Sequence, residues 1–323
     1  MTIPTLDDVY RARRVIAPYL RPTPLVRSDA LSELLGCQAY LKCENVQPIG
    51  VFKVRGGINL VSSLSDEERR RGVITASTGN HGQSIAYAAR LFGVPAVIAA
   101  PEDCNPYKRR AMERLGARVM LVGKDFDESR VWVEEETARR GYRYVHAANE
   151  PLLIAGVGTM SLEIMEELPE VDIIINPLGG GSGCSGHCIV AKGIKPDVEV
   201  IGVQAERAPA VYLSWKAGEL RETESSDTFA EGLATRVAFE LPFSIIKDRI
   251  DDIVLVSEEE MRRAVIALLD SAHMLAEPAG AAPLAAALKM PERLRGKKVV
   301  LVLTGANITL EQLRAVLAEE GGG

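Results

Sequence analysis

The sequence predicts an α/β protein built from two open, twisted, mostly parallel sheets, each flanked by helices. Three observations lead there. Short apolar runs alternate with helix-like segments along both halves of the chain. The alternation repeats as a strand-then-helix unit, and crossovers of that kind make parallel sheets covered by helices. The 323 residues, 47% hydrophobic and 25% charged, supply enough core for two domains of about 150 residues each.

The elements follow in order. Thr5 with Asp8 has the pattern of a capping box, and Val9, Ala12, Ile16 and Tyr19 recur at helical spacing until Pro22 and Pro24 stop the helix. Residues 39–42 read as a short strand that leads into Pro48-Ile49-Gly50-Val51-Phe52-Lys53-Val54-Arg55-Gly56-Gly57. Strand-like runs at 73–76, 96–99, 118–122 and 144–147 then alternate with helical segments at 83–91, 106–115 and 126–140. In the second half, strands at 172–175, 199–203, 253–256 and 298–303 keep the same order with helices between them, and Ser257/Glu260 and Thr309/Gln312 repeat the capping-box pattern. Residues 321–323 read as a disordered glycine tail. In open sheets of this kind, ligands bind at the carboxyl ends of the strands.

Charge and composition narrow the function. A formal net charge of -6 gives no electrostatic footprint for nucleic acid or an anionic membrane, and the basic cluster at 67–71 is balanced by its own acids. The expected partner is a small molecule. No apolar run approaches the ~20 residues of a membrane span, and the first twenty residues lack the apolar segment of a signal peptide, so a cytoplasmic protein is expected. The five cysteines, Cys37, Cys43, Cys104, Cys184 and Cys188, include no C-x-x-C pair and read as reduced thiols. Cys184, His187 and Cys188 share one segment but have no fourth ligand, and no metal site is expected.

Four stretches concentrate chemistry. Lys53 sits among glycines and apolar residues, where an amine loses solvation for its charged form and becomes a nucleophile toward carbonyls; the alternative is a stem that packs while its head reaches water. Ser77-Thr78-Gly79-Asn80-His81-Gly82-Gln83 follows a strand and opens a helix, which suits either a carboxylate cradle or an ordinary helix cap. Gly179-Gly180-Gly181-Ser182-Gly183 lets several backbone N–H groups converge on a phosphate, where the alternative is a flexible turn. Its spacing matches neither a dinucleotide fingerprint nor an NTP loop. In Thr304-Gly305-Ala306-Asn307 a hydroxyl after the last strand could bond a ring nitrogen or cap the next turn.

Together and in this order, these stretches resemble the fold type II pyridoxal-phosphate enzymes, in their threonine/serine dehydratase and serine racemase branch, over residues 7–317. The resemblance implies a tryptophan synthase β-like fold. It also implies a large cofactor-binding domain of residues 1–47 and 152–323, and a small substrate-carboxylate domain of residues 48–151. It makes Lys53 the Schiff-base lysine and catalytic base, with Phe52 against the cofactor ring. Ser77, Thr78, Gly79 and His81 would hold the substrate carboxylate and Asn80 the cofactor's phenolic oxygen. Gly179, Gly180, Gly181, Ser182 and Gly183 would form the phosphate cup. Thr304 would face the pyridine nitrogen, and Glu277, in Ala276-Glu277-Pro278, would flank the cofactor. Arg130 resembles an arginine that reaches the substrate carboxylate in racemases, with a helix-surface ion pair as the alternative.

The implied reaction is β-elimination of a β-hydroxy amino acid such as L-threonine or L-serine to a 2-oxo acid and ammonia. The alternatives are a serine racemase-type racemase, or a dehydratase of phenylserine or 3-hydroxyaspartate. The chain departs from the pattern at Val51, where the family has serine, and at Ser182, where it has a fourth glycine. Thr78 carries a hydroxyl where dehydratases often have alanine and racemases a serine that reprotonates Cα from the face opposite the lysine, which makes it the second catalytic candidate beside Lys53. The positions of the family's divalent-cation ligands hold Gln204 and Ala210, with Glu206 nearby, so no metal is expected. The chain ends soon after the Thr304 motif, so no C-terminal regulatory domain is expected, and the assembly should be a homodimer or homotetramer.

Overall fold

The computed structural model describes residues 2–318, and the 321–323 tail lies outside them. It divides into two compact units, Met1–Leu20 with Lys53–Val157 and Arg21–Phe52 with Gly158–Gly323. The strands are β1 (Leu25–Arg27), β2 (Gln38–Cys43), β3 (Val73–Ala76), β4 (Ala96–Ala100), β5 (Arg118–Leu121), β6 (Arg143–Tyr144), β7 (Ile173–Pro177), β8 (Glu199–Ala205), β9 (Asp252–Val256) and β10 (Lys298–Leu303). Among the described residues, no helix is long and apolar enough to cross a membrane.

The first unit holds a parallel sheet of order β5-β4-β3-β6. Strand order reverses beside β3, so the loops leaving β3 and β6 emerge next to each other, the usual place for a ligand site. β6 ends at Tyr144, short of the 144–147 run read from the sequence. The chain turns there because His146 Nδ1 accepts the N–H groups of Ala148 and Asn149 at 3.0 and 2.9 Å.

Helices Val54–Ser62 and Asn80–Phe92 pack closely against each other. A Cβ on Gly57 would lie 2.4 Å from Ser84 Oγ, so the glycine is what permits the approach, and Ser84 Oγ in turn donates to the Lys53 carbonyl at 2.6 Å.

The unit boundaries differ from the division read from the sequence. Residues 1–20 group with the first unit because helix Leu6–Ile16 buries Val9, Ala12 and Ile16 and packs on Val54–Ser62, while Tyr19 meets Phe92 edge-on at 5.2 Å. The other boundaries fall at the Phe52–Lys53 bond and after Val157.

The second unit holds a sheet of order β1-β2-β10-β7-β8-β9, parallel except for the antiparallel edge strand β1. One face packs Leu41, Ile173, Ile175, Val203, Leu301 and Leu303 against helices Glu258–Ala272 and Pro278–Leu288. The strands are apolar nearly throughout because both faces are covered. On the other face, Asn176 Nδ2 donates to Cys184 Sγ of helix Ser182–Ile194 at 3.3 Å. Lys42 is fully buried, and its ammonium donates to Thr23 O at 2.7 Å and to Glu163 Oε2 at 2.6 Å. The order reverses between β7 and β10, which brings the loops that follow these strands side by side.

Candidate active site

The glycine loop after β7 is shaped by close backbone approach. A Cβ on Gly179 would lie 2.0 Å from the Gly232 carbonyl oxygen, and one on Gly181 would lie 2.7 Å from Pro242 Cβ at φ +93°. No L side chain fits either position. Gly181 stands at the N-cap of helix Ser182–Ile194 without a side-chain cap. Among the described residues, the backbone N–H groups from Gly179 to Cys184 find no acceptor. A run of donors at the positive end of a helix dipole is an anion receptor, and its breadth suits a phosphate.

Thr304, at the end of β10, is buried, and its carbonyl accepts the Phe52 N–H at 2.9 Å. Its hydroxyl bonds no described residue, which leaves it available to a ligand. The segment before Phe52 is strapped to this loop. Val51 and Gly305 form an antiparallel bridge, the Ala306 N–H donates to Gly50 O at 2.9 Å, and Asn307 Nδ2 donates to Ile49 O at 3.1 Å. Val51, whose departure from the family pattern stood out in the sequence, is 1% exposed and fills this contact. Phe52 Cε2 would lie 3.5 Å from a Cβ on Gly183, so ring and cup loop are neighbours. Glu277 occupies the N-cap position of helix Pro278–Leu288 without a side-chain capping bond, and its N–H donates to Gly305 O at 2.9 Å. A Cβ on Gly305 would lie 2.6 Å from Glu277 Oε1.

In the first unit, Lys53 opens helix Val54–Ser62 and is held through its carbonyl by Ser84. Ser84 belongs to the helix that carries the Ser77–His81 loop. Ser77 Oγ accepts the N–H groups of Gly79 and Gly82 at 3.2 and 2.8 Å. Both lone pairs are then used, and the hydroxyl has only its proton to offer, the right polarity for a carboxylate. The backbone N–H of His81 takes no acceptor among the described residues. His81 is buried, and burial first, then the charge of Lys53, lowers its pKa to about 3, so the ring is neutral. Asn80 begins the helix, Gly79 precedes it as N-cap, and Thr78 stands exposed at the loop tip.

Arg130 lies on helix Phe126–Arg140, paired with Glu134 at 2.5 Å and Asp127 at 3.8 Å. These ion pairs are the helix-surface arrangement named as its alternative. Gln204 Oε1 accepts the Tyr212 N–H at 2.8 Å, and no cluster of three His, Cys, Asp or Glu among the described residues could hold a metal ion. Burial raises the Cys184 thiol to about 12 and Cys188 well above its usual value, so both are inert thiols. Sequence reading missed Thr75, inside β3, and Ser84, in the second turn of helix Asn80–Phe92, and it gave Asn307 no role of its own within the Thr304 motif. Thr75 and Ser84 flank the Ser77–Gln83 motif, and that position was the available signal.

Known proteins resemble this chain in sequence and fold. The chain is 41% identical over 313 residues to the L-threonine ammonia-lyase of Thermotoga maritima, a match covering 97% of this chain and 78% of that protein. It is 40% identical over 315 residues to the L-threonine ammonia-lyase of Geobacter sulfurreducens, covering 98% and 77%. The crystal structure of the T.th. threonine deaminase superposes with a TM-score of 0.90 at 35% identity, covering 95% of this chain and 99% of that one. Maize serine racemase superposes at 0.93 with 29% identity, covering 99% and 98%. Residues 16–305 match the family described as pyridoxal-phosphate dependent enzyme. The donor run of the cup and the available Thr304 hydroxyl fit that cofactor's phosphate and ring nitrogen, and the chain belongs to the pyridoxal-phosphate dependent enzyme family.

Proposed function

We propose that this enzyme is an ammonia-lyase that converts L-threonine or L-serine to the 2-oxo acid and ammonia. The observation that supports it most is Thr304, a buried residue whose hydroxyl bonds no described residue. A neutral group at the pyridine nitrogen limits charge delocalisation into the ring and favours loss of the β-substituent. The relatedness to the two L-threonine ammonia-lyases points the same way.

The N–H groups from Gly179 to Cys184 would hold the cofactor phosphate, Thr304 would serve the ring nitrogen, Phe52 and Glu277 would flank the ring, and Asn80 would serve the phenolic oxygen. When bound, pyridoxal phosphate supplies the aldehyde that captures the amino group and the conjugated system that lowers the cost of a carbanion at Cα. Ser77 Oγ–H and the His81 N–H, with Thr78 and Gly79 in the same loop, hold the substrate carboxylate at the N-terminus of helix Asn80–Phe92. Lys53 would be the residue that carries the cofactor, and its amine would take the Cα proton as general base. Loss of the Cα proton and of the β-hydroxyl together makes one water, and the enamine that results takes up one water to give the 2-oxo acid and ammonia.

The unit of Arg21–Phe52 and the residues from Gly158 is read as the cofactor-binding part, and the unit of Lys53–Val157 with the residues up to Leu20 as the carboxylate-binding part, of a cytoplasmic homo-oligomer whose size sedimentation would measure. The exposed Thr78 hydroxyl favours a second reading, amino-acid racemisation, because it could return a proton to Cα.

The test is 2-oxo acid release from threonine, serine, phenylserine and 3-hydroxyaspartate, with chiral analysis of the residual substrate. Lys53→Ala should abolish release and the visible absorption of protein-bound cofactor. Release from none of the four substrates sinks the lyase reading, and inversion without release selects the racemase.

A further inference from the structure

We propose that Thr75, on β3 and fully buried, is a positioning residue for the carboxylate loop. It fixes one tautomer of His81 and thereby assigns recognition to the His81 main chain rather than to its ring. The inference rests on the carboxylate-binding reading of that loop.

It follows from counting protons. Thr75 Oγ1 lies 2.7 Å from Val145 O, 3.4 Å from Ala76 O and 2.9 Å from His81 Nε2. A hydroxyl has one proton to donate, and a carbonyl can only accept. The short contact to Val145 O takes the Thr75 proton, so the contact with His81 must run the other way, from Nε2–H to Thr75 Oγ1. His81 is neutral, for the burial reason given above. With its one proton on Nε2, Nδ1 is bare and presents a lone pair, which repels a carboxylate. The ring is therefore not the donor.

What His81 can offer is its main-chain N–H, which no described residue accepts, in the same loop as the Ser77 hydroxyl, whose lone pairs are taken by Gly79 and Gly82. Thr75 links three parts of this receptor: β3, the loop leaving β6 through Val145, and the first turn of helix Asn80–Phe92 through His81. Strand order reverses at β3 and β6, so the bond ties together the two loops between which a ligand of this sheet would lie.

The experiment uses holoenzyme labelled with 15N-histidine, wild type beside Thr75→Val and Thr75→Ser. In the wild type, the His81 resonances should report a proton on Nε2 and a bare Nδ1, unchanged between about pH 5 and 8. Thr75→Val keeps the shape but removes the acceptor. It should disturb that tautomer and raise the KM for amino-acid substrate by about tenfold, with kcat within about twofold. Thr75→Ser restores the acceptor and should return KM and spectrum toward the wild type. A proton on Nδ1 in the wild type overturns the inference, and so does a Thr75→Val enzyme with wild-type KM or with kcat and KM disturbed together in both variants. If no amino acid is consumed by the wild type, the function proposed above fails instead, and the tautomer measurement alone decides the role of Thr75.

Discussion

Gly181→Ala tests the cup most directly. Gly181 has φ +93°, and a Cβ there would lie 2.7 Å from Pro242 Cβ and 3.3 Å from Ile246 Cδ1. Adopting that backbone costs an L residue about 1–2 kcal/mol, and forcing a methyl into a filled space costs about 1–3 kcal/mol more. The cup must therefore lose roughly 2–5 kcal/mol. The loss has two places to show: as lower stability, if the loop keeps its shape, or as weaker cofactor binding, if it relaxes. Since about 1.4 kcal/mol is tenfold in affinity, full relaxation would weaken pyridoxal phosphate by between roughly 30-fold and several thousand-fold.

Titration of the apo-protein with cofactor, followed by its visible absorption, measures one share, and urea unfolding of the apo-protein measures the other. Gly218→Ala is the control. It also has positive φ, +74°, but nothing lies within 4 Å of the new Cβ, so it should cost only about 1 kcal/mol of stability and leave cofactor affinity unchanged. If the two losses in Gly181→Ala sum to less than about 1 kcal/mol, or if Gly218→Ala weakens the cofactor equally, the account of the cup is wrong.

Asn307→Ala removes the bond to Ile49 O and loosens the strap before Phe52 and Lys53; we expect cofactor retention on dialysis to fall, at a stability cost of about 1 kcal/mol, and unchanged retention would refute the strap. Lys42→Met removes the ammonium from its mostly buried pair with Glu163, whose carboxylate also accepts the Thr23 N–H at 3.1 Å, and should cost about 3–5 kcal/mol in urea unfolding, whereas Lys42→Met combined with Glu163→Met should recover part of it. His187 is fully buried, and neither ring nitrogen bonds a described residue, so His187→Leu should raise the melting temperature, and a clear fall would show that the ring has a partner. Burial lowers the pKa of both His81 and His187 to about 3. Between that value and the ordinary histidine range the unfolded chain binds protons the folded one does not, so stability falls as pH drops below about 6.5, at up to 1.4 kcal/mol per unit for each ring. In His187→Leu that acid-side slope should shrink by one proton's worth, read from urea unfolding at a series of pH values.

The strand-and-helix order was legible because the buried runs 73–76, 172–175 and 298–303 are bounded by polar helix starts, and period and length mark such strands. The motif loops were legible for a related reason: side-chain-free backbone at Gly179–Gly181 and clustered hydroxyls at 77–78 are costly unless a ligand needs them. Residues whose function depends on the fold's closure were not legible. Edge strand β1, with the exposure pattern of Leu25–Arg27, has no alternation to betray it. Helix Leu6–Ile16 could be read as a helix, but its apolar face of Val9, Ala12 and Ile16 does not say which sheet it covers.

Thr75 shows the limit most clearly. In the sequence it is one polar residue inside the buried strand β3, where a threonine suits the β-region as well as valine does. Its significance comes from Val145, seventy residues away along the chain, whose carbonyl takes its proton and so fixes the direction of the bond from His81. A hydrogen bond's polarity is set by all the partners of its atoms, and those partners are brought together only when β3 and β6 pair. Motif reading could name His81 but could not say whether its ring or its main chain faces the substrate. That distinction is a property of tertiary pairing, and it is the reason a valine at position 75, nearly silent to any pattern of hydrophobicity, should be heard in KM.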